Sequence, residues 1–422
     1  MMTSSVSSSP LSYSSPTPSP ELIKINSNHK TYYIEIGLTI LFLCLTIPSL
    51  FFLTLIYHRE TTFISTSLAI ATTTTTTATP TIIDSSFIKS TYQQKNFYRK
   101  SLFNYPQARC MDDSIASYYI RLSNNNNSYW LIYFDGGWFC YSKESCNLRR
   151  IYSPNLITSN NMNEKKSFIG IFSSLKQYNI IYVPYCSSDL WSGSSNKTYS
   201  HGYDIFHAIF DDLKFDKQFQ KAKQIIFTGF SAGGLGLLLN LPNLLKKFSS
   251  TIDLRVIIDS GWFIDYPGSI NGITKINEAM IYWNTQIPST CQLKPQYKCF
   301  LGSEAIRLFP SHVSILIIQS LFDQTQLHLD KLYINSNDFS LKLIENLRQS
   351  SNRISIFAPA CSIHGLLFRS LWSQFNIEQR TLASVLNIWL KRTKRTHVQL
   401  IDNHFDSSFC PHREDDDDDD GI

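Results

Sequence analysis

Ser231 sits in the stretch Gly229-Phe-Ser-Ala-Gly-Gly-Leu-Gly236, directly after the apolar run "QIIFT". The spacing is Gly-x-Ser-x-Gly. A serine held on a sharp turn between a strand and a helix presents its hydroxyl as a nucleophile, and small flanking residues are needed because the backbone is crowded there. Gly229, Ala232 and Gly233 supply them. A serine nucleophile needs a base, and the base needs an orienting acid. With this type of elbow the chain order is serine, acid, histidine. Asp323 follows the strand-like run in "SILIIQSLFDQTQL", and His364 follows the one in "RISIFAPACSIHGLL". Asp259 and Asp265 are rival acids. His328, His397, His404 and His412 also lie downstream, but none directly follows a comparable run. The tetrahedral intermediate of acyl transfer needs backbone donors. Ala232 would give one, and the loop in "WLIYFDGGWFC", with Gly136 and Gly137, would give another.

These residues need a frame. The runs "SYYIRLS", "SYWLIYF", "NIIYVPY", "QIIFT", "LRVIID", "SILIIQ" and "RISIFAP" read as strands. Helical patterns fall at about 204–215, 234–248, 341–349, 366–375 and 377–390. Near-continuous apolar strands alternating with helices predict an α/β fold: an α/β-hydrolase-like, mostly parallel sheet flanked by helices. The segment from about Asp265 to Pro310 breaks the alternation and is expected as an insertion over the active site. Loops at the carboxyl edge of such a sheet gather ligands, which suits Asp323 and His364.

The chain has 422 residues and 43% hydrophobic content, enough for one large domain with appendages. Residues 1–35 are Ser-, Pro- and Asn-rich, as a disordered cytosolic head would be. Ile36–Tyr57 is a 22-residue run without charge, long enough to span a bilayer. It is expected as an uncleaved type II signal anchor, giving a single-pass membrane protein with an extracellular or lumenal catalytic part; if cleaved, the product is secreted. Residues 58–96 read as a Ser/Thr-rich stalk, 97–412 as the catalytic domain, and 413–422 as an acidic disordered tail. The net charge is +5 overall; the seven acids of Glu414–Asp420 leave +12 on the rest, which could attract an anionic glycosaminoglycan. No nucleic-acid partner, cofactor or metal is expected. No Cys pair has Cys-x2-Cys spacing. Eight cysteines beyond Cys44 suit four disulfides in an oxidising compartment. Asn126 and Asn196 begin glycosylation triplets.

The stretches "DDSIASYYIR", "WLIYFDGGWFCYSKESC", "VPYCSSDLWSGSSNK", "GFSAGGLGLLLN", "DSGWFID", "YWNTQIP", "QSLFDQTQL" and "FAPACSIHGLLFRS" run in order from about Cys110 to Trp372. In these the sequence resembles the pectin acetylesterase/Notum family. The resemblance implies Ser231 as nucleophile, Asp323 as acid and His364 as base, with Gly137, Trp138 and Ala232 around the oxyanion. It implies a serine carboxylesterase that removes a palmitoleoyl-like fatty acyl group from a secreted signalling protein such as Wnt. An O-acetylesterase acting on acetylated glycans is the alternative. A catalytically silent adhesion domain is disfavoured, because all three triad types are retained. Trp138, Phe139, Phe263, Phe300 and Leu301 match positions that line the acyl pocket, and Leu235 and Thr325 join them as changed types. Asp135 stands where the family has Glu, and Leu301 also departs from the usual pocket type. The expected bridges are Cys140–Cys146 and Cys291–Cys299 locally, and Cys110–Cys186 and Cys361–Cys410 over longer spans.

Overall fold

The computed structural model describes residues 96–410 apart from 125–126, 267–269, 292, 294, 330–335, 392–396 and 405–409, and gives no side-chain surroundings for 270–274. The head, the anchor run Ile36–Tyr57, most of the stalk, the tail and Asn126 lie outside the described residues. Within them, no helix is long and apolar enough to cross a membrane.

The described residues form twelve strands: β1 Phe97–Ser101, β2 Ser117–Arg121, β3 Tyr129–Phe134, β4 Lys165–Lys166, β5 Asn179–Val183, β6 Gln224–Phe230, β7 Asp253–Asp259, β8 Ser314–Ile318, β9 Ser355–Ala358, β10 Asn376–Ile377, β11 Arg380–Thr381 and β12 Gln399–Ile401. Ten make one sheet in the order β12-β9-β8-β7-β6-β3-β5-β2-β1-β4. From β12 across to β5 every pairing is parallel. The edge from β5 through β2 and β1 to β4 is antiparallel. This is the α/β-hydrolase-like, mostly parallel architecture that the alternation predicts.

The strands are apolar on both sides because both sides are covered. Alternate side chains of β3, β6, β7 and β8 enter two separate cores. Trp130, Ile132, Phe134, Ile225, Phe227, Val256, Ile258, Ile315 and Ile317 face one. Leu131, Tyr133, Ile226, Ile257, Leu316 and Ile318 face the other. The helix Ala232–Leu244 lies in the first core and is buried along its length apart from Asn243. Its buried Asn240 is satisfied by donating to the carbonyls of Trp191 and Gly236, both at 2.9 Å.

Two of the expected helices differ. Residues 366–375 hold only the 3-10 turn Trp372–Gln374. The N–H groups of Gly365, Leu366 and Leu367 donate to Ser260 and Asp259 side chains instead of closing helical turns. The helix expected from 377 starts at Leu382. Residues 376–381 form the β10–β11 hairpin, whose turn uses left-handed Glu378 and Gln379. A helix at Lys143–Tyr152 was not legible in the sequence.

All eight expected cysteines pair as anticipated: Cys110–Cys186, Cys140–Cys146, Cys291–Cys299 and Cys361–Cys410. Asn196 is exposed in a turn, open to a glycan.

Candidate active site

β6 ends at Phe230, and the helix Ala232–Leu244 begins one residue later. Ser231 between them has φ 50° and ψ −117°. A non-glycine residue in such a conformation stores on the order of 1–3 kcal/mol and persists only where its surroundings impose it. They do so here. The Ser231 N–H donates to the Asp259 carbonyl at 2.9 Å, and the Ser231 carbonyl accepts from Leu235 at 3.1 Å. A Cβ on Gly233 would lie 2.1 Å from the Phe134 carbonyl oxygen, so only glycine lets the elbow sit against β3.

Asp323 follows β8 and is fully buried. Its two oxygens lie 2.9 and 2.8 Å from His364 Nδ1. The carboxylate also accepts from Gln319 Nε2 at 3.0 Å and from the N–H groups of Thr325 and Gln326 at 3.0 and 3.2 Å. A carboxylate in such a cage, accepting from Nδ1–H, holds the imidazole in one tautomer and orientation. The His364 ring packs on the Phe230 ring, 5.2 Å between centroids, beside the elbow. Ser231 and His364 line one cleft of about 480 Å³.

Gly136, Gly137, Trp138 and Asp135 form another wall of that cleft. A Cβ on Gly136 would lie 2.8 Å from Ser231 Cβ, which places this loop against the elbow. Gly137 has φ 145°, which glycine adopts freely, and Trp138 has φ 55°, which is strained for a side chain of its size; together they turn the backbone beside the serine. The loop is held from behind: Trp191 Nε1 donates to the Asp135 carbonyl at 3.1 Å, and the Asp135 carboxylate accepts from Gly136 N–H at 2.9 Å and from the Tyr182 hydroxyl. Burial raises the Asp135 pKa, and those two hydrogen bonds oppose the rise.

Of the seven residues assigned to the acyl pocket, Trp138 and Thr325 line this cleft. Phe139, Leu235, Phe300 and Leu301 are buried and belong to the core or its margin. Phe263 stands 6.3 Å from the Trp138 ring, and Phe139 stands 4.3 Å from it. Among the described residues, the cleft takes no wall from 265–310. Its outer walls are Tyr152–Leu156, Lys166, Ile169 and Phe368–Ser370.

Two supports escaped sequence reasoning. Asp259, read as a rival acid, accepts from Leu366 and Leu367 N–H, and Ser260 Oγ accepts from Gly365 N–H. Asp259 therefore ties Ser231, through its carbonyl, to the loop that carries His364. Burial pushes its pKa up to about 6, against hydrogen bonds from Leu367 and Leu366. Asp189 accepts from Ser187 Oγ and from the N–H groups of Trp191 and Gly202, so it fixes the loop that carries Trp191. Its position at the end of "CSSD" was the available signal.

Asp189 sets a pH dependence. Burial raises its pKa from an ordinary 3.8 to about 6, opposed by its hydrogen bonds. A raised acid favours the fold when protonated, so this stabilisation is fully present below about 3.8 and is lost as pH rises through about 6. Between pH 4.5 and 7.5 the wild type should lose about 2 kcal/mol more than Asp189→Asn, which cannot titrate. Urea unfolding of both proteins at the two pH values checks it. Equal pH dependence would contradict it.

The pectinacetylesterase family profile matches residues 88–341, more than half of the chain. The chain belongs to the pectinacetylesterase family. The matched stretch contains Ser231 and Asp323 and ends before His364. The chain is similar to palmitoleoyl-protein carboxylesterase NOTUM of Schmidtea mediterranea, 34% identical over 333 residues, which are 69% of this chain and 62% of that protein. It is 31% identical to palmitoleoyl-protein carboxylesterase notum2 of Xenopus laevis over 349 residues, 74% of this chain and 70% of that one. It is 29% identical to palmitoleoyl-protein carboxylesterase NOTUM of Homo sapiens over 326 residues, 68% and 65%. Among the described residues, no group of three or more His, Cys, Asp or Glu side chains is arranged to hold a metal ion.

Proposed function

We propose that this pectinacetylesterase-family chain is a serine carboxylesterase that removes a long O-linked acyl group, palmitoleoyl-like, from a secreted signalling protein of the Wnt kind. The observation that carries the chemistry is Ser231, strained on its elbow in one cleft with the His364–Asp323 pair. Ser231 Oγ attacks the ester carbonyl as His364 Nε2 takes its proton. Asp323 stabilises the imidazolium without accepting the proton. The oxyanion is received by backbone N–H groups of Ala232, at the start of its helix, and of the Gly137–Trp138 turn. The alcohol leaves with the proton from His364, and water then repeats the sequence to release the fatty acid. The protein acts outside the cytosol, where its four disulfides persist.

The acyl chain is the finer part of this reading. The relatives' names support it, as does Trp138, which lines the cleft with Ser231 and has the Phe139 and Phe263 rings beside it. Each methylene removed from water contributes about 0.8 kcal/mol. kcat/KM on p-nitrophenyl esters should therefore climb from acetyl to octanoyl or longer. Turnover confined to the acetyl ester would overturn the lipid reading and favour O-acetylated glycans.

A further inference from the structure

The helix Lys143–Tyr152 is built inside out. Its buried side chains are Cys146, bridged to Cys140, and Arg149, whose Nε donates to Ser188 Oγ at 2.7 Å. Its large apolar side chains point to water: Leu148 is 54% exposed, Ile151 68% and Tyr152 77%. Spacings of three and four residues put these three on one face. The same edge of the cleft carries Ile169, 56% exposed. Its neighbour Gly170 lies against the Leu367–Phe368 backbone, and Ile171 N–H donates to the Leu367 carbonyl at 2.9 Å, so Ile169 is tied to the loop bearing His364. Ordinary soluble helices put their apolar stripe inward. A reversed stripe gathered at the mouth of a site calls for an apolar partner.

Charge decides which partner. The exposed cations on Lys143–Tyr152 and on residues 163–169 are Lys143, Arg150, Lys165 and Lys166, against Glu144 and Glu164. Lys166 itself lines the cleft. Leucine, isoleucine and tyrosine beside basic side chains suit the boundary between acyl chains and anionic headgroups. We propose that this face docks the rim of the cleft onto a bilayer with an anionic surface, so that the cleft opens at the depth where a fatty acyl group lies. The choice of lipid-borne substrate rests on the esterase reading above; the docking itself does not.

The test uses the full chain with vesicles of phosphatidylcholine, alone or with phosphatidylserine, carrying a photoactivatable phospholipid. Labelled peptides are mapped by mass spectrometry, which separates this face from the apolar run Ile36–Tyr57. Label is expected on peptides covering 143–152 and 163–169, stronger with phosphatidylserine and weaker at high salt. Leu148→Glu with Ile151→Glu should cut it at least tenfold. The same variant should lower turnover of a hexadecanoyl ester held in the vesicles at least tenfold, with soluble butyrate turnover unchanged. Label that misses both segments, or equals wild type in the variant, overturns the proposal. So does a variant that loses activity only on an acylated protein, since the face would then bind protein. Failure of the wild type to cleave any ester from butyryl to hexadecanoyl would instead sink the esterase reading and leave the labelling result standing.

Discussion

Ser231→Ala is expected to lower kcat on an octanoyl ester by on the order of 10³-fold or more, while the protein folds as before. The change removes one oxygen from a side chain that is only 3% exposed, and none of the backbone bonds that hold the elbow involves that oxygen. Asp323→Asn and His364→Ala should be comparably severe, because the three act as a unit and their losses do not add. Asp323→Asn also disturbs the cage of Gln319, Thr325 and Gln326, so its unfolding transition has to be measured beside its kinetics. Near wild-type turnover by Ser231→Ala would contradict the assignment.

Gly233→Ala should produce the largest loss of stability among the small substitutions near the site. The new methyl would meet three backbone atoms of Phe134 and Asp135 within 2.7 Å, and backbone cannot rotate aside as a side chain does. The helix must lift away from β3, which overpacks a close-packed contact and costs about 3 kcal/mol. The displaced residues lead straight into Gly136, Gly137 and Trp138, so the proposed oxyanion donors move too. A misplacement near 1 Å is worth about 10²-fold in rate. Gly234→Ala is the control: its methyl would lie 3.1 Å from its nearest neighbours, a tight contact that a small shift relieves. Urea unfolding and kcat/KM on both variants check this. A Gly233→Ala protein as stable and active as Gly234→Ala would contradict it.

Much of this frame is readable from residues. The strand runs were legible because a strand buried on both faces has no polar alternation to hide it. Ser231, Asp323 and His364 stood out because each directly follows such a run. β1 and β12 were not legible: "FYRKS" mixes charge with aromatics, and "QLI" is three residues long. The helix Lys143–Tyr152 was missed because its apolar side chains serve the outer surface, so no inward stripe marks it. The false helix at 366–375 came from an apolar run, "LLFRSLWSQF", whose first N–H groups are spent on Asp259. That loss is tertiary, and no local pattern reports it. Asp259 itself shows the same limit. As a type it is another carboxylate after another strand; only its acceptors reveal that it braces the histidine loop. Asp189 and Trp191 act on the turn at Asp135–Trp138 from about 50 residues away, beyond the reach of any short motif.

The central claim, that Ser231 is the nucleophile, is tested most directly by trapping it. The protein is treated with an alkyl fluorophosphonate and digested, and the peptide carrying Gly229–Gly236 is weighed. One phosphonate on Ser231 is expected, absent in Ser231→Ala and strongly slowed in His364→Ala. An unmodified Ser231 peptide in a wild-type protein that still cleaves the octanoyl ester would contradict the account.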